Sequence, residues 1–429
     1  MTTAAVSSPS TAAPAGGLDP LHLAANEALG KGNLQKAELL CRQLLERSPT
    51  DLVALALLGQ LATHLQRFDQ AVGYFSAGLR AAPHQAQFAQ WRQQAEALRQ
   101  AQALQPKPAA RERFLLIKAW GYGFWSDMDH VLGQLLLADI TGRTPIVHWG
   151  ANSLFGEPGV ANAFELFFEP VSGTSLQDLQ RREALSFFPA KWQAANLAEE
   201  NVNKFAGPGS RLTGLYALSR DEDVVVSDFH TKLNDLLPWI PEGHAFHGLH
   251  RNQVYRRLVE RHIRLRPELQ QKIDAFWQAR MQGQRWLAVH VRGSDKAAEL
   301  RDLDLVNAQY HQRIEALLRQ QEGLRIFLLT DTESFLQDYR ARYGERVLSA
   351  DCARTDNHVG VHYTGRSGRM LGEEVILDTF LAARCDFFLG NGASNVSTAV
   401  RHLKTWEADR FLLIGADFLG ERNLFLHEW

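Results

Sequence analysis

A chain of 429 residues is long enough to form two or three domains. Its 46 Lys and Arg residues nearly balance its 48 Asp and Glu residues, and the resulting net charge of -2 argues against a protein that binds nucleic acid. The three cysteines are widely spaced, without metal-ligand or disulfide spacing, and no apolar run is long enough to span a bilayer. We therefore expect a cytoplasmic protein.

The amino-terminal part of the chain predicts a helical repeat. Residues 1–17 are rich in Ala, Ser, Thr, Pro and Gly and lack the basic start and apolar core of a signal peptide, so they predict a disordered lead. Over residues 18–105 a helix–turn–helix pattern recurs every 34 residues, the spacing between Pro49 and Pro83. This layout resembles tetratricopeptide repeats. It predicts a surface for a protein partner or a homodimer, and a plain pair of helical hairpins is the alternative.

From residue 111 onward, strands and helices alternate, which predicts parallel βαβ units. The first helix of this part is predicted at Asp127–Thr141, with Ser126 as its cap. The two halves, residues 111–280 and 281–429, predict a two-lobed α/β enzyme with a cleft between Rossmann-like lobes. The predicted strands include Phe114–Trp120, Pro145–Trp149, Val224–Asp228, Arg325–Thr330, Arg346–Ser349, Asp386–Gly390 and Phe411–Ile414.

The segment Trp286–Lys296 is an apolar strand that ends in charged residues. The two-residue period of a strand puts His290 and Arg292 on one face, at the carboxyl end of the strand. Open α/β sheets bind their ligands at this end. Because a guanidinium grips a phosphate pair through a fork of donors, we expect a phosphate-bearing ligand beside Arg292.

A second phosphate-binding element is predicted at residues 386–398. Gly390 and Gly392 allow tight backbone turns. Ser394 or Asn395 can cap the following helix, whose exposed N–H groups and dipole favour a phosphate. Glycines that serve packing alone are the alternative interpretation.

Two further positions leave alternatives open. Asp378 lies among apolar neighbours in a predicted helix. It is either a solvated surface residue or a carboxylate that accepts two donors from a guanine edge. Gly121 and Gly123 flank a strand-to-helix turn, which either lines the cleft or serves only as a tight turn.

Several of these segments together resemble a known superfamily. His290–Lys296 reads HVRGSDK and resembles the H-V-R-x-[ST]-D-K signature of α1,6-fucosyltransferases, including the Nod-factor fucosyltransferases. The segment Gly121–Trp149 is similar to the opening of protein O-fucosyltransferases. The resemblance covers about residues 113–429. The later blocks keep the order of the family: Leu329–Asp331, Val375–Asp378, Ala383–Leu389 and Ser394–Asn395.

The resemblance implies a GT-B-like glycosyltransferase that moves a sugar, fucose first among the candidates, from a GDP-sugar to a glycan or protein hydroxyl. Residues 111–280 would be the acceptor lobe and residues 281–429 the nucleotide-sugar lobe. His290 and Asp378 would contact guanine, and Arg292 would bind the diphosphate and act in catalysis. The other implied donor-site residues are Gly121, Gly123, Lys296, Tyr310, Asp331, Ser394 and Asn395.

The resemblance also implies inversion at the sugar without a metal or other cofactor. The Asp-x-Asp triplets that start at Asp127, Asp221 and Asp302 agree with this, because 48 acidic residues produce such triplets by chance. Glu299 is the first candidate for the general base and Asp295 the second.

The chain departs from the family pattern at three positions. Gly293 stands where a second Arg is common, Thr332 stands where a second acid follows Asp331, and Glu299 is one position closer to the signature than usual. Two alternatives therefore stay open. One is a degenerate transferase that acts as a repeat-based binding module, and the other is a transferase that uses a different nucleotide sugar.

Overall fold

The computed structural model describes residues 19–104, 111–204, 206, 210–293, 303–356, 360–361 and 365–415. The helices are α1 (Pro20–Gly30), α2 (Leu34–Arg47), α3 (Leu52–His64), α4 (Phe68–Ala81), α5 (Ala86–Leu104), α6 (Phe124–Thr141), α7 (Leu176–Arg181), α8 (Leu233–Leu236), α9 (Arg251–His262), α10 (Pro267–Arg280), α11 (Leu303–Gln320), α12 (Glu333–Tyr343), α13 (Gly368–Arg384) and α14 (Asn395–Leu403). The strands are β1 (Phe114–Lys118), β2 (Thr144–His148), β3 (Phe187–Phe188), β4 (Val224–Ser227), β5 (Trp286–Val291), β6 (Arg325–Thr330), β7 (Val347–Leu348), β8 (Phe387–Asn391) and β9 (Phe411–Ile414).

Helices α1 to α5 form the predicted amino-terminal helical region. Asp51 caps α3 by accepting a hydrogen bond from the N–H of Ala54 at 2.8 Å. Small residues let successive helices approach closely, since a Cβ on Gly59 would lie 2.2 Å from the ring of Phe75. The ring of Phe88 packs in the same way against Gly78. The tetratricopeptide character of these helices stays a prediction.

The helical region packs directly against the rest of the chain. Tyr216 is buried, and its hydroxyl accepts a hydrogen bond from the N–H of Leu34 at 3.2 Å and donates one to the carbonyl of Gly32 at 3.3 Å. The second helical hairpin makes a similar contact, in which Arg67 donates to the carbonyl of Leu218 at 3.2 Å. The turns of both hairpins therefore bind residues that precede β4.

We predict that Tyr216→Phe lowers the free energy of unfolding by about 1–2 kcal/mol, because it leaves the buried N–H of Leu34 without its partner. Urea denaturation followed by circular dichroism measures this change. Tyr122→Phe is the matched control, since Tyr122 is 48% exposed. Equal transition midpoints for the two variants would show that the Tyr216 hydroxyl does not hold the helical region in place.

The first sheet has the strand order β2-β1-β4-β3, with all strands parallel. Helix α6 covers it and begins at Phe124, three residues before the predicted start. The predicted cap at Ser126 is wrong, because Gly123 occupies the N-cap position and Ser126 lies inside the first turn. Gly142 ends the helix in a left-handed conformation with φ 63°.

The second sheet has the order β7-β6-β5-β8-β9 and is also entirely parallel. Central strand β5 is buried on both faces. Leu287 and Val289 pack on the side of α11, whereas Trp286 and Ala288 belong to the larger core on the other side. This period of two supports the predicted alternation along the strand.

Side chains join the elements around the two sheets. The indole N–H of Trp125 at the start of α6 donates to the hydroxyl of Thr379 in α13 at 2.9 Å. The rings of Tyr255 in α9 and His402 in α14 stack with centroids 3.9 Å apart. Among the described residues, no helix combines the length and the apolar character that a membrane crossing requires.

Candidate active site

The candidate site lies at the carboxyl edge of the second sheet. Strands β6, β5 and β8 are adjacent and parallel, so the residues that follow them meet at one edge. The register places His290 opposite Leu329 on one side and Gly390 on the other. Arg292 and Asp331 therefore leave neighbouring strand ends.

Asp331 holds the guanidinium of Arg292 in place. The two side chains form an ion pair, with exposed fractions of 21% for Arg292 and 14% for Asp331. Oδ1 of the same carboxylate accepts hydrogen bonds from the N–H of Gly293 at 3.2 Å and from the hydroxyl of Thr332 at 3.0 Å. With this many fixed contacts, Asp331 orients Arg292 at the strand end.

The structure gives a packing reason for the unusual glycine at position 293. A Cβ built on Gly293 would lie 2.3 Å from Oγ1 of Thr332 and 3.0 Å from the ring of Phe335. A side chain at position 293 therefore does not fit while Thr332 hydrogen-bonds Asp331. The two departures from the family pattern, Gly293 and Thr332, thus pack against each other, and each requires the other.

We predict that Gly293→Ala weakens nucleotide binding about tenfold, because the added methyl group displaces Thr332 and shifts the Asp331 carboxylate that orients Arg292. Calorimetric titration with GDP measures the affinity. Gly73→Ala is the control, since a Cβ at that helical position meets nothing within 4 Å beyond its own helix backbone and chain neighbours. An unchanged affinity would show that the Thr332 contact does not govern the position of Arg292.

His290 is buried beneath helix α14. Its Nδ1 lies 2.8 Å from the hydroxyl of Ser397, and its exposed fraction is 4%. Burial, aided by the nearby charge of Arg292, lowers the pKa of His290 to about 3. The imidazole is therefore neutral at physiological pH and can act through hydrogen bonds without carrying a charge.

Tyr310 does not fit its predicted place in the donor cleft. The side chain is fully buried in the core between β5 and α11. Its hydroxyl donates a hydrogen bond to the backbone carbonyl of His290 at 2.7 Å. Helix α11, which carries Tyr310, covers the face of the sheet opposite to α13. Tyr310 thus holds the end of β5 from that opposite face.

Asp378 is not a solvated surface residue. It lies in α13, and its Oδ1 is shielded from solvent without a hydrogen-bond partner in the described part of the chain. Burial raises the pKa of Asp378 to about 7, against the opposing effect of the Arg354 charge. An unsatisfied buried carboxylate oxygen is costly, so the group is suited to accept a donor from a ligand.

Arg354 is a site residue that the sequence interpretation missed. It follows β7, and its guanidinium donates to the carbonyls of Ala350 at 2.8 Å and Cys352 at 3.0 Å. These contacts hold its charge near Asp378. The sequence signal for Arg354 is its place after a strand of the same parallel sheet, and this signal is weak because β7 has only two residues.

Ser394 occupies the predicted N-cap position of α14, although its side chain makes no capping hydrogen bond. Asn395 is the first residue of the helix. Gly390 is required for packing, since a Cβ there would lie 2.5 Å from the hydroxyl of Ser397. The N–H of Gly392 donates to the carbonyl of Ile414 at 2.9 Å and so is used within the sheet.

The turn at Gly121 and Gly123 belongs to the first sheet and lies beside α13. The N–H of Gly121 donates to Oδ1 of Asp127 at 2.9 Å, in a backbone conformation with φ 92°. Trp125, two residues beyond Gly123, reaches the residue after Asp378. The two predicted parts of the cleft are therefore neighbours.

The described acidic triplets have structural partners. Asp127 is fully buried beneath its turn, and burial raises its pKa to about 7. Asp129 accepts a hydrogen bond from the hydroxyl of Tyr255 at 2.5 Å. Asp223 accepts one from the N–H of Ser186 at 2.8 Å. No group of three or more potential metal ligands occurs among the described residues.

Three predicted residues, Asp295, Lys296 and Glu299, lie outside the described residues. The candidate site is therefore built from the remaining positions. Those that follow adjacent strand ends are His290, Arg292, Asp331, Ser394 and Asn395. Asp378 lies in α13 beside Arg354, and the N–H of the next residue, Thr355, donates to the carbonyl of Asp331 at 2.9 Å, so this segment links Asp378 to the edge.

Two parallel α/β sheets with polar strand ends and a helical region ahead of them form the predicted GT-B-like architecture, and this fold class is confirmed. In sequence, the chain is 26% identical over 285 residues to nodulation protein Z of Bradyrhizobium diazoefficiens, which covers 62% of this chain and 72% of that protein. This similarity agrees with the predicted resemblance to the Nod-factor fucosyltransferases.

Solved structures with a similar fold include NodZ alpha-1,6-fucosyltransferase co-crystallized with GDP, with 21% identity, a TM-score of 0.47 and coverage of 68% of this chain and 93% of that chain. POFUT1 in complex with GDP is 12% identical, with a TM-score of 0.43 and coverage of 70% of this chain and 97% of that one. No protein-family profile matches the chain.

Proposed function

We propose that the protein transfers fucose from GDP-fucose to a hydroxyl group of a glycan or protein acceptor, with inversion at the sugar carbon and without a metal. The observation that carries this proposal is that Asp331 orients Arg292 through its side chain and, through its carbonyl, holds the segment of Arg354 that lies beside the partnerless Oδ1 of Asp378. The guanidinium of Arg292 suits a diphosphate, and the carboxylate of Asp378 suits the donors of a guanine edge.

The donor would lie across the carboxyl ends of β5 and β8. Asp378 would accept hydrogen bonds from guanine, and the neutral His290 would contact the same base. Arg292 and the start of α14 at Ser394 and Asn395 would bind the diphosphate, since the helix dipole adds positive potential there.

In the proposed reaction the acceptor hydroxyl attacks C1 of the sugar from the face opposite to GDP, while the C1–oxygen bond to the diphosphate breaks. Negative charge grows on the leaving diphosphate, and Arg292 stabilises it because Asp331 holds the guanidinium in advance. The acceptor proton passes to a general base, for which Glu299 and then Asp295 are the candidates.

Thermal-shift measurements with GDP, UDP, ADP and dTDP test the choice of nucleotide, since a ligand that binds only the folded state raises the melting temperature. We expect the largest shift with GDP. A larger shift with another nucleotide would support a transferase for a different nucleotide sugar.

Release of GDP from GDP-fucose and from GDP-mannose, each with and without EDTA, tests the chemistry. We expect turnover with GDP-fucose that EDTA does not reduce. Binding of GDP without turnover of either sugar would favour the alternative of a degenerate transferase that acts as a repeat-based binding module.

A further inference from the structure

A pocket lies between α9 and the segment that joins α14 to β9, away from the candidate active site at the carboxyl edge of the second sheet. Its volume is about 280 Å³. Arg401 and Lys404 line it from the carboxyl-terminal end of α14. Ser394 is at the other end of this nine-residue helix, which spans about 13 Å. The pocket is therefore separate from the candidate donor site.

The charged side chains that line this pocket carry a positive surplus. Arg401, Lys404 and Arg256 face it, against one lining carboxylate, that of Glu407. Arg256 is paired with Glu260 at 3.4 Å, so the surplus rests on Arg401 and Lys404. Glu407 is already bound to Nε of Arg410 at 2.7 Å. Lys404 is held in place because its ammonium donates to the carbonyl of Cys385 at 2.5 Å. Such a concentration of fixed cations favours an anion in the pocket.

One wall of the pocket is aromatic. Trp406 and Phe411 line it with ring centroids 5.4 Å apart, and both side chains are partly exposed. The charges adjoin these rings, since Arg401 lies 4.9 Å from the Phe411 centroid and Lys404 lies 3.7 Å from the Trp406 ring. Apolar faces with a few convergent polar groups are typical of a small-molecule site.

The opposite wall offers a hydrogen-bond acceptor. Asn252 lines the pocket from the first turn of α9, and its Oδ1 has no partner among the residues that the structure describes. An amide oxygen accepts a hydrogen bond from a hydroxyl group. The pocket thus combines cations, ring faces and an acceptor for a hydroxyl.

We propose that this pocket binds an anionic sugar, either a sugar phosphate or a sugar acid. The sugar ring lies on Trp406 and Phe411, and the acidic group binds Arg401 and Lys404. The ligand joins α9 to α14, the two helices that also stack Tyr255 on His402. It therefore adds a contact across the same helix pair without entering the candidate active site.

Calorimetric titration of the full chain with glucose 1-phosphate, glucuronate, inorganic phosphate and glucose tests the proposal. We expect glucose 1-phosphate and glucuronate to bind, and to bind equally well to Arg292→Ala, which has lost the donor-site guanidinium. The double variant Arg401→Gln, Lys404→Gln should bind both at least about tenfold more weakly, as loss of a charged hydrogen bond predicts. Because binding of these probes to Arg292→Ala does not involve the donor-site guanidinium, the result is independent of the proposed donor site.

Arg256→Gln, on the other wall, provides a second variant in case the double variant folds poorly. It should weaken the binding of both acidic probes, because it removes a positive charge that faces the pocket. Arg342→Gln, a surface residue paired with Glu315, is the matched control. The proposal is overturned if neither acidic sugar binds, if the pocket variants bind them as tightly as the wild type, or if glucose binds as tightly as glucose 1-phosphate. Inorganic phosphate that binds as tightly as glucose 1-phosphate would overturn the role of the aromatic wall.

Discussion

Arg292→Ala should lower the rate of sugar transfer by about 10²–10³-fold, the cost of removing one preorganised donor from a developing negative charge. It should also weaken GDP binding, because the same guanidinium contacts the diphosphate before the reaction. The fold should persist, since Asp331 keeps its hydrogen bonds from Gly293 and Thr332. Steady-state release of GDP from GDP-fucose and calorimetric titration with GDP measure the two effects.

Arg342→Ala is the matched control for this substitution. Arg342 forms an exposed ion pair with Glu315 at 2.5 Å on the far side of the second sheet, where screening makes such pairs worth little. We expect no change in either measurement for this variant. If Arg292→Ala bound GDP with wild-type affinity, the assignment of the diphosphate site to the end of β5 would be wrong.

Asp378→Asn should remove most of the selectivity for GDP, with a loss of affinity of about 10²-fold. The amide replaces a charged acceptor by a group with fewer acceptor sites, and a hydrogen bond to a charged group is worth about 1.5–3 kcal/mol. Thermal-shift ranking of GDP against UDP and ADP measures the selectivity. Asp338→Asn, at a position whose side chain is 57% exposed, is the control.

The same substitution should raise the melting temperature of the ligand-free protein above pH 7. Burial raises the pKa of Asp378 from its ordinary value to about 7, so the folded state retains a proton that the unfolded state has released. The folded state is therefore destabilised as the pH rises from the ordinary pKa of an aspartate, 3.8, to about 7, and asparagine avoids this loss because it does not ionise. A lower melting temperature for Asp378→Asn at pH 8 would contradict the partnerless state of Oδ1.

The pKa of Asp378 also predicts the pH dependence of binding. Guanine donors require the carboxylate form, and protonation competes with binding below about pH 7. GDP affinity in the wild type should rise by up to about tenfold per pH unit below pH 7 and level off above it. Asp378→Asn should show no such rise, which separates this titration from that of other groups.

The sequence by itself determined the order of the strands and helices, although it placed the start of α6 three residues too late. The alternation of strands and helices predicted two parallel sheets, and the two-residue period of Trp286–Lys296 placed His290 and Arg292 at a carboxyl edge. The turn glycine at position 123 and the apolar strands can be recognised from nearby residues alone, because propensity, turn chemistry and periodicity act over a few residues. The family resemblance rested on the same short segments.

Only the tertiary structure decided how these residues act, because each decision depends on partners that are distant in the chain. Only the segment around Arg354, which packs beside Asp378, shows that Asp378 is not a solvated surface residue. Gly293 is explained by Thr332, 39 positions later, and Tyr310 proved to be a core residue because α11 packs behind β5. Burial and the loss of solvent set the charge of Asp378 and His290, and neither quantity is encoded in local spacing.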